Sequence, residues 1–334
     1  MTALKISAWL DPGDRFARAS FQAHAALLAR VYPRWLFVDE KGMPQRRSEA
    51  GPEHREGLLG LARAQGVEVW SYLGLSVVPG SASDVPRLLL EDDACRSAHR
   101  SALLRLAQED GVQGLILDYG TVADADRKAL ISLLDEIRSV LHGIGLKVAL
   151  LARPSLGPGK PGGYSPTEDY AALASRCDRV QIVGCSFPEA GVEPSDAQRG
   201  RGIPGPIAAP AWCGEVLAHA VSSAPHEKIE WCLPALGANW GGDAFPVSIN
   251  FRVWEALVQA HPPERRDSVT AEMHLSYGGR DVWMNDSISL IAKLGQVRLH
   301  GVSNVALSNL GAEDPRLWAL LDTLPKDFLG TEQA

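Results

Sequence analysis

Short apolar runs alternate with longer stretches of helical period from one end of the chain to the other. Runs at 5–9, 34–38, 67–73, 114–119, 147–152, 179–183, 229–233 and 301–307 are bounded by polar, Gly or Pro positions, which predicts strands. Between them, 16–30, 55–65, 94–109, 124–142, 210–221, 249–260 and 287–299 repeat their apolar residues every three or four positions, which predicts amphipathic helices. Eight strands separated by helices predict a closed parallel (β/α)8 barrel of the TIM type rather than an open sheet. The 334 residues suit one such barrel with loop insertions. No internal repeat or linker interrupts them, so a single domain over 1–334 is expected.

Two segments, 155–165 (SLGPGKPGGYS) and 187–210, are rich in Gly and Pro and follow expected strands. In a barrel, the loops after the strands build the functional rim. GPGKPGG lacks the GxxxxGK[ST] spacing of a phosphate loop, so no nucleotide is expected there.

The fourth run, GVQGLILDYG at 111–120, carries the most specific pattern. Alternation places Gly114, Ile116, Asp118 and Gly120 on one face of the strand, and Leu115 and Leu117 on the other. The leucines suit burial under the outer helices. Asp118 then becomes the charged group that this strand delivers to the rim, as a functional carboxylate or as a structural one bonded to nearby backbone.

Composition narrows the function. A formal net charge of -7, with only short basic runs such as Arg46-Arg47 and Arg265-Arg266, argues against nucleic acid as a partner. Five scattered cysteines without a CxxC pair indicate neither a zinc site nor a disulfide framework. The histidines show no HExxH spacing, so neither a metal nor a cofactor is expected. No run approaches the roughly 20 apolar residues of a membrane span, and the first residues lack a leader pattern. A cytoplasmic location is therefore expected, or secretion for a chain whose leader had been removed.

Several segments resemble, in order and spacing, the signatures of glycoside hydrolase family 18. The run 111–120 resembles the fourth-strand motif D-G-x-D-x-D-x-E. Further on, CDRVQIVGCSF at 177–187 resembles YDRVQIMTYDY, and KIEWCLPALGANW at 228–240 resembles KIxLGIPLYGYDW. DVWMND at 281–286 resembles VWYED, and GVSNVALSNLGAEDPRLW at 301–318 resembles GIxxWxLGxEDPxLW. The segments 31–42 and 64–76 also fit, so the resemblance runs along nearly the whole chain. It lies nearest the branch of spore-cortex and peptidoglycan-directed glucosaminidases.

That resemblance implies a barrel and a substrate-assisted hydrolysis. In it, a Glu protonates the leaving oxygen, the substrate's acetamido carbonyl attacks the anomeric carbon, and an Asp two residues earlier orients the acetamide. Asp118 takes the place of that Asp. The acid position holds Gly120, which has no proton to give, and Gln113 and Ile116 stand where the first two Asp residues would be. Cys185 and Ser186 replace the sixth-strand Tyr and Asp, Leu236 replaces the seventh-strand Tyr, and the eighth-strand Trp falls near Val305.

The expectation is a degenerate family 18-like barrel that binds a glycan or oligosaccharide, or serves as an interaction module, inactive in substrate-assisted hydrolysis. The alternative is an active glycosidase whose rebuilt site uses Asp118 with rim carboxylates among Asp11, Asp39, Glu40 and Glu189. Trp9, Trp35, Tyr72, Tyr119 and Trp240 lie near strand ends, where sugar rings stack on aromatic faces. Core packing is the other reading for each. With Asn239, Cys185 and Ser186 they make up the candidate ligand-binding set.

Overall fold

The computed structural model describes residues 4–75, 85–120, 122, 124–157, 169–185, 204–241 and 246–324. Eight strands run parallel in sequence order: β1 (Lys5–Leu10), β2 (Arg30–Pro33), β3 (Glu68–Leu75), β4 (Gly114–Asp118), β5 (Lys147–Ala152), β6 (Arg179–Val183), β7 (Ile229–Leu233) and β8 (Asn304–Leu307). Their hydrogen-bonded order is β2-β1-β8-β7-β6-β5-β4-β3, and β3 pairs with β2 to close the ring. The fold is a (β/α)8 barrel, as the alternation of runs predicts.

The chain divides into two compact units. One comprises Ser7–Ala152 and Asp169–Gln181; the other comprises Met1–Ile6, Arg153–Glu168 and Ile182–Ala334. In the first, Leu115, Ile116 and Leu117 of β4 are completely buried and only Asp118, at its C-terminal end, is partly exposed. The helix Arg127–His142 packs Leu133, Leu134, Ile137 and Leu141 into the same core. Asp110 is buried beneath Arg46, which donates to it at 2.8 Å and also pairs with Glu109, fixing the short strand Pro44–Arg46. Asp178, in the CDRVQ segment, accepts from the Val148 amide and the His142 imidazole, both at 2.8 Å.

The second unit carries an additional antiparallel sheet with strand order Val247–Ile249, Gly237–Trp240, Arg280–Met284, Met273–Tyr277, Arg265–Arg266. Ile249, Phe251, Trp254, Leu275, Val282 and Met284 form its core. Glu272 is completely buried and accepts from the Ile207 and Ala208 amides at 2.8 Å and from Lys293 Nζ at 3.0 Å. The Glu313-Asp314-Pro315 segment is structural: Glu313 accepts from Trp318 Nε1 at 3.0 Å, and Asp314 accepts from the Ser287 amide at 2.9 Å.

The second strand departs from expectation. The run at 34–38 predicts it, yet β2 spans Arg30–Pro33, and Leu36–Val38 is a separate strand paired with the end of β3. Pro33 has no N–H to continue the ladder, and the Trp35 amide turns back onto the Pro33 carbonyl at 2.9 Å. The predicted helix 16–30 correspondingly ends at His24, followed by one 3-10 turn. The eighth strand begins at Asn304 rather than 301, because Gly301 closes the turn that ends the helix Ser287–Leu299.

Gly184 follows β6 with its amide donating to the Cys232 carbonyl at 2.9 Å. A Cβ there would run into that same carbonyl oxygen and lie 2.8 Å from the Trp231 ring. Trp231 is completely buried and cannot move aside. Gly184→Ala is therefore expected to lower stability by about 1–3 kcal/mol in urea denaturation, and an unchanged midpoint would contradict this packing.

Candidate functional site

Inward-facing side chains of the first unit converge at the C-terminal ends of their strands. Asp118 is half-buried. Its Oδ2 accepts from the Tyr72 hydroxyl of β3 at 2.6 Å, and its Oδ1 accepts from the Gly120 amide at 3.0 Å. A carboxylate accepting from a hydroxyl and an amide two residues on is held in one orientation, and such charge-assisted bonds are worth about 1.5–3 kcal/mol each. Gly120 has φ +70°, a backbone that residues with a Cβ rarely adopt. The turn that brings its amide onto Asp118 is thus a glycine turn, and no side chain leaves the chain there.

Trp9 of β1 lies beside Tyr72, with ring centroids 5.3 Å apart and an interplanar angle of 42°. Its Nε1 donates to Gln181 Oε1 at 2.8 Å; Gln181 belongs to β6 and is completely buried. Arg34, directly after β2, places its guanidinium 5.3 Å from both the Trp9 and the Tyr72 ring centroids. Both rings are under 10% exposed, so neither offers an open stacking platform. The cluster thus exposes part of a guanidinium and of a bonded carboxylate rather than an aromatic face.

Of the residues expected from sequence, the structure thus brings Trp9, Tyr72 and Asp118 together. Tyr119 points to the other side of β4, where its hydroxyl lies 3.0 Å from His99 Nε2. Burial raises its phenol well above the ordinary range, and its hydroxyl is turned to His99 rather than to Asp118. Trp35 is completely buried and presents no ring to a ligand.

In the second unit, Cys185 and Leu236 pack against the apolar cluster of Ile207, Ala238 and Trp240. Burial pushes the Cys185 thiol up to about 12, with the Arg153 charge opposing only in part, so a thiolate nucleophile is not formed there. Trp240 is buried with Nε1 donating to the Gly205 carbonyl at 3.2 Å. Asn239 lies 3.4 Å from the Tyr277 hydroxyl. Ser186 and Glu189 lie outside the described residues.

Among the rim carboxylates, Asp39 accepts from the Lys41 and Met43 amides and from Gln45 Nε2. Burial alone would raise its carboxyl; these hydrogen bonds and the Lys41 charge hold it below the usual range, the wrong direction for a general acid. Asp11 accepts from the Gly13 amide at 2.9 Å, and Glu40 is exposed. No group of three or more His, Cys, Asp or Glu side chains among the described residues is arranged to hold a metal, and no described helix is long and apolar enough to cross a membrane.

Arg34 and Gln181 escaped the sequence reading. Gln181 had a usable signal, as an uncharged polar residue inside the apolar run VQIV. Arg34 had none, because its place depends on the break after Pro33.

Comparison of the backbone with solved structures now bears on this geometry. A class V chitinase from Pseudomonas fluorescens superposes with a TM-score of 0.82 at 21% identity, covering 96% of this chain and 99% of its own. The chain has the fold of the chitinases. The Bacillus cereus spore cortex-lytic enzyme SleL superposes with a TM-score of 0.78 at 19% identity over 98% of this chain and 75% of that one. In sequence, a cortical fragment-lytic enzyme of Bacillus anthracis is 24% identical over 252 residues, 72% of this chain and 56% of the relative. The chain therefore spans little more than half the length of that relative. No protein-family profile matches it.

One support of β4 in this chitinase-fold chain titrates. His99 is buried, with Nδ1 2.7 Å from the Gly42 carbonyl and Nε2 facing the Tyr119 hydroxyl. Burial lowers its pKa below the ordinary imidazole value of 6.5, the Gly42 bond opposing only in part. The stability held by neutral His99 is complete above pH 6.5 and is lost as pH falls below it. Unfolding free energy should fall by up to about 1.4 kcal/mol per pH unit on that side. His99→Gln should flatten the profile between about pH 5 and 7; equal slopes in the two proteins would contradict the assignment.

Proposed function

We propose that the protein is a glycoside hydrolase-like barrel that binds an N-acetylated amino-sugar glycan at the Asp118–Tyr72 mouth without hydrolysing it by the acetamide-assisted route. The observation that carries this reading is Gly120. The position two residues after Asp118, where that chemistry requires a proton donor, is a left-handed glycine whose amide is bonded to Asp118. A general acid is worth about 10²–10⁴-fold in rate. Asp118 is a half-buried carboxylate held in one orientation by Tyr72 and the Gly120 amide, a group whose charge suits an acetamido N–H. The names of similar proteins, chitinase and cortical fragment-lytic enzyme, make such glycans the first ligands to test.

The test is binding and turnover of N-acetylchitotetraose and of peptidoglycan fragments by the wild type and by Asp118→Asn. Saturable binding with intact sugar is expected, weakened about 10-fold in the variant. Turnover by the wild type that Asp118→Asn abolishes would overturn the proposal.

A further inference from the structure

The mouth pairs a cation with an anion. Asp118 at the end of β4 accepts from Tyr72, and the Arg34 guanidinium lies 5.3 Å from the centroids of the Tyr72 and Trp9 rings. We propose that this site selects a glycan residue bearing a carboxylate, with Arg34 as the group that receives it. The inference rests on the glycan-binding reading above and adds the charge class of the ligand.

Arg30 lies in β2, its guanidinium 5.4 Å from the Trp70 ring centroid, and its Nε donates to Glu68 Oε2 at 2.7 Å. Arg34, four residues on, repeats the cation-over-aromatic arrangement against two rings. No carboxylate within 4.0 Å pairs with it among the described residues. Arg316 in the second unit follows the Arg30 pattern, lying over Phe251 and pairing with Asp314 at 2.9 Å.

Stacking on indole and phenol holds the plane of a guanidinium while leaving its edge N–H donors to bond elsewhere. That edge suits a carboxylate, which accepts two parallel N–H bonds from it. Arg34 is only half-buried, so an incoming ligand reaches it. The Asp118 carboxylate, bonded to the Tyr72 hydroxyl and the Gly120 amide, suits a neutral N–H donor beside the same tyrosine. A sugar bearing a carboxylate and an acetamido N–H satisfies both.

Two kinds of sugar carry such a carboxylate: one with a lactyl ether, as in N-acetylmuramic acid, and one oxidised at its terminal carbon, as in a hexuronic acid. Isothermal titration of the wild type, Arg34→Gln and Arg34→Lys with three probes tests the proposal. The probes are neutral N-acetylchitotetraose, an N-acetylglucosamine–N-acetylmuramic acid tetrasaccharide, and a hyaluronan tetrasaccharide of N-acetylglucosamine and glucuronic acid. The wild type should bind one of the acidic probes about 10- to 100-fold more tightly than the neutral one at low salt, and which acid is preferred names the source. The preference should shrink at about 0.5 M salt.

Arg34→Gln should lose the preference for the acidic probe, with an unchanged far-ultraviolet circular dichroism spectrum and melting transition reporting that the variant is folded. Arg34→Lys should retain only part of the preference. Equal wild-type affinity for neutral and acidic probes overturns this inference and leaves the glycan-binding reading standing. A preference that survives in Arg34→Gln overturns it as well. Failure of all three probes to bind overturns both.

Discussion

The carboxylate of Asp118, clamped between the Tyr72 hydroxyl and the Gly120 amide, is the interaction on which the account of this site depends. It joins β3 to the end of β4 and fixes the direction of the one acceptor that β4 delivers to the mouth. It also uses the Gly120 backbone, so the turn and the carboxylate are a single device. A side chain at 120 would have to adopt a left-handed backbone, at a cost of about 1–2 kcal/mol. The same geometry that orients Asp118 therefore works against any residue that would stand beside it as an acid.

Around this clamp, the remaining side chains are supported rather than mobile. Buried Gln181 accepts from Trp9, and Arg34 covers Trp9 and Tyr72. On the other side of β4, the Gly42–His99–Tyr119 chain of hydrogen bonds fixes the strand end from behind. Buried polar groups that are satisfied in this way rigidify a site. The result is a preorganised cluster in which a guanidinium and a carboxylate both adjoin Tyr72, which suits recognition of a polar ligand.

Much of the scaffold was legible in the sequence, because its signals are local. The strands at 147–152, 179–183 and 229–233 fall where the apolar runs place them, since each is bounded by polar residues or turns. The second strand lies before the run at 34–38 because no Gly or Pro separates the helix end from the strand in ALLARVY, and the breaker, Pro33, comes only after it. The antiparallel sheet has only one local signal, Gly278-Gly279 between MHLSY and RDVWM, which marks a hairpin but not its neighbours in the sheet. At the site, alternation along β4 identified Asp118. It also implies that Tyr119 faces the helices, a consequence that its place at the strand end obscured. The Arg34–Trp9–Tyr72 arrangement joins residues far apart in the chain, and no local pattern encodes it.

The most direct test is a single NMR experiment on protein labelled with 15N at tryptophan, incubated for days with N-acetylchitotetraose. The account predicts a saturable shift of the Trp9 indole N–H resonance while the anomeric proton signals of the sugar remain those of the intact oligosaccharide. Growing signals of new reducing ends with the wild type, absent with Asp118→Asn, would contradict it.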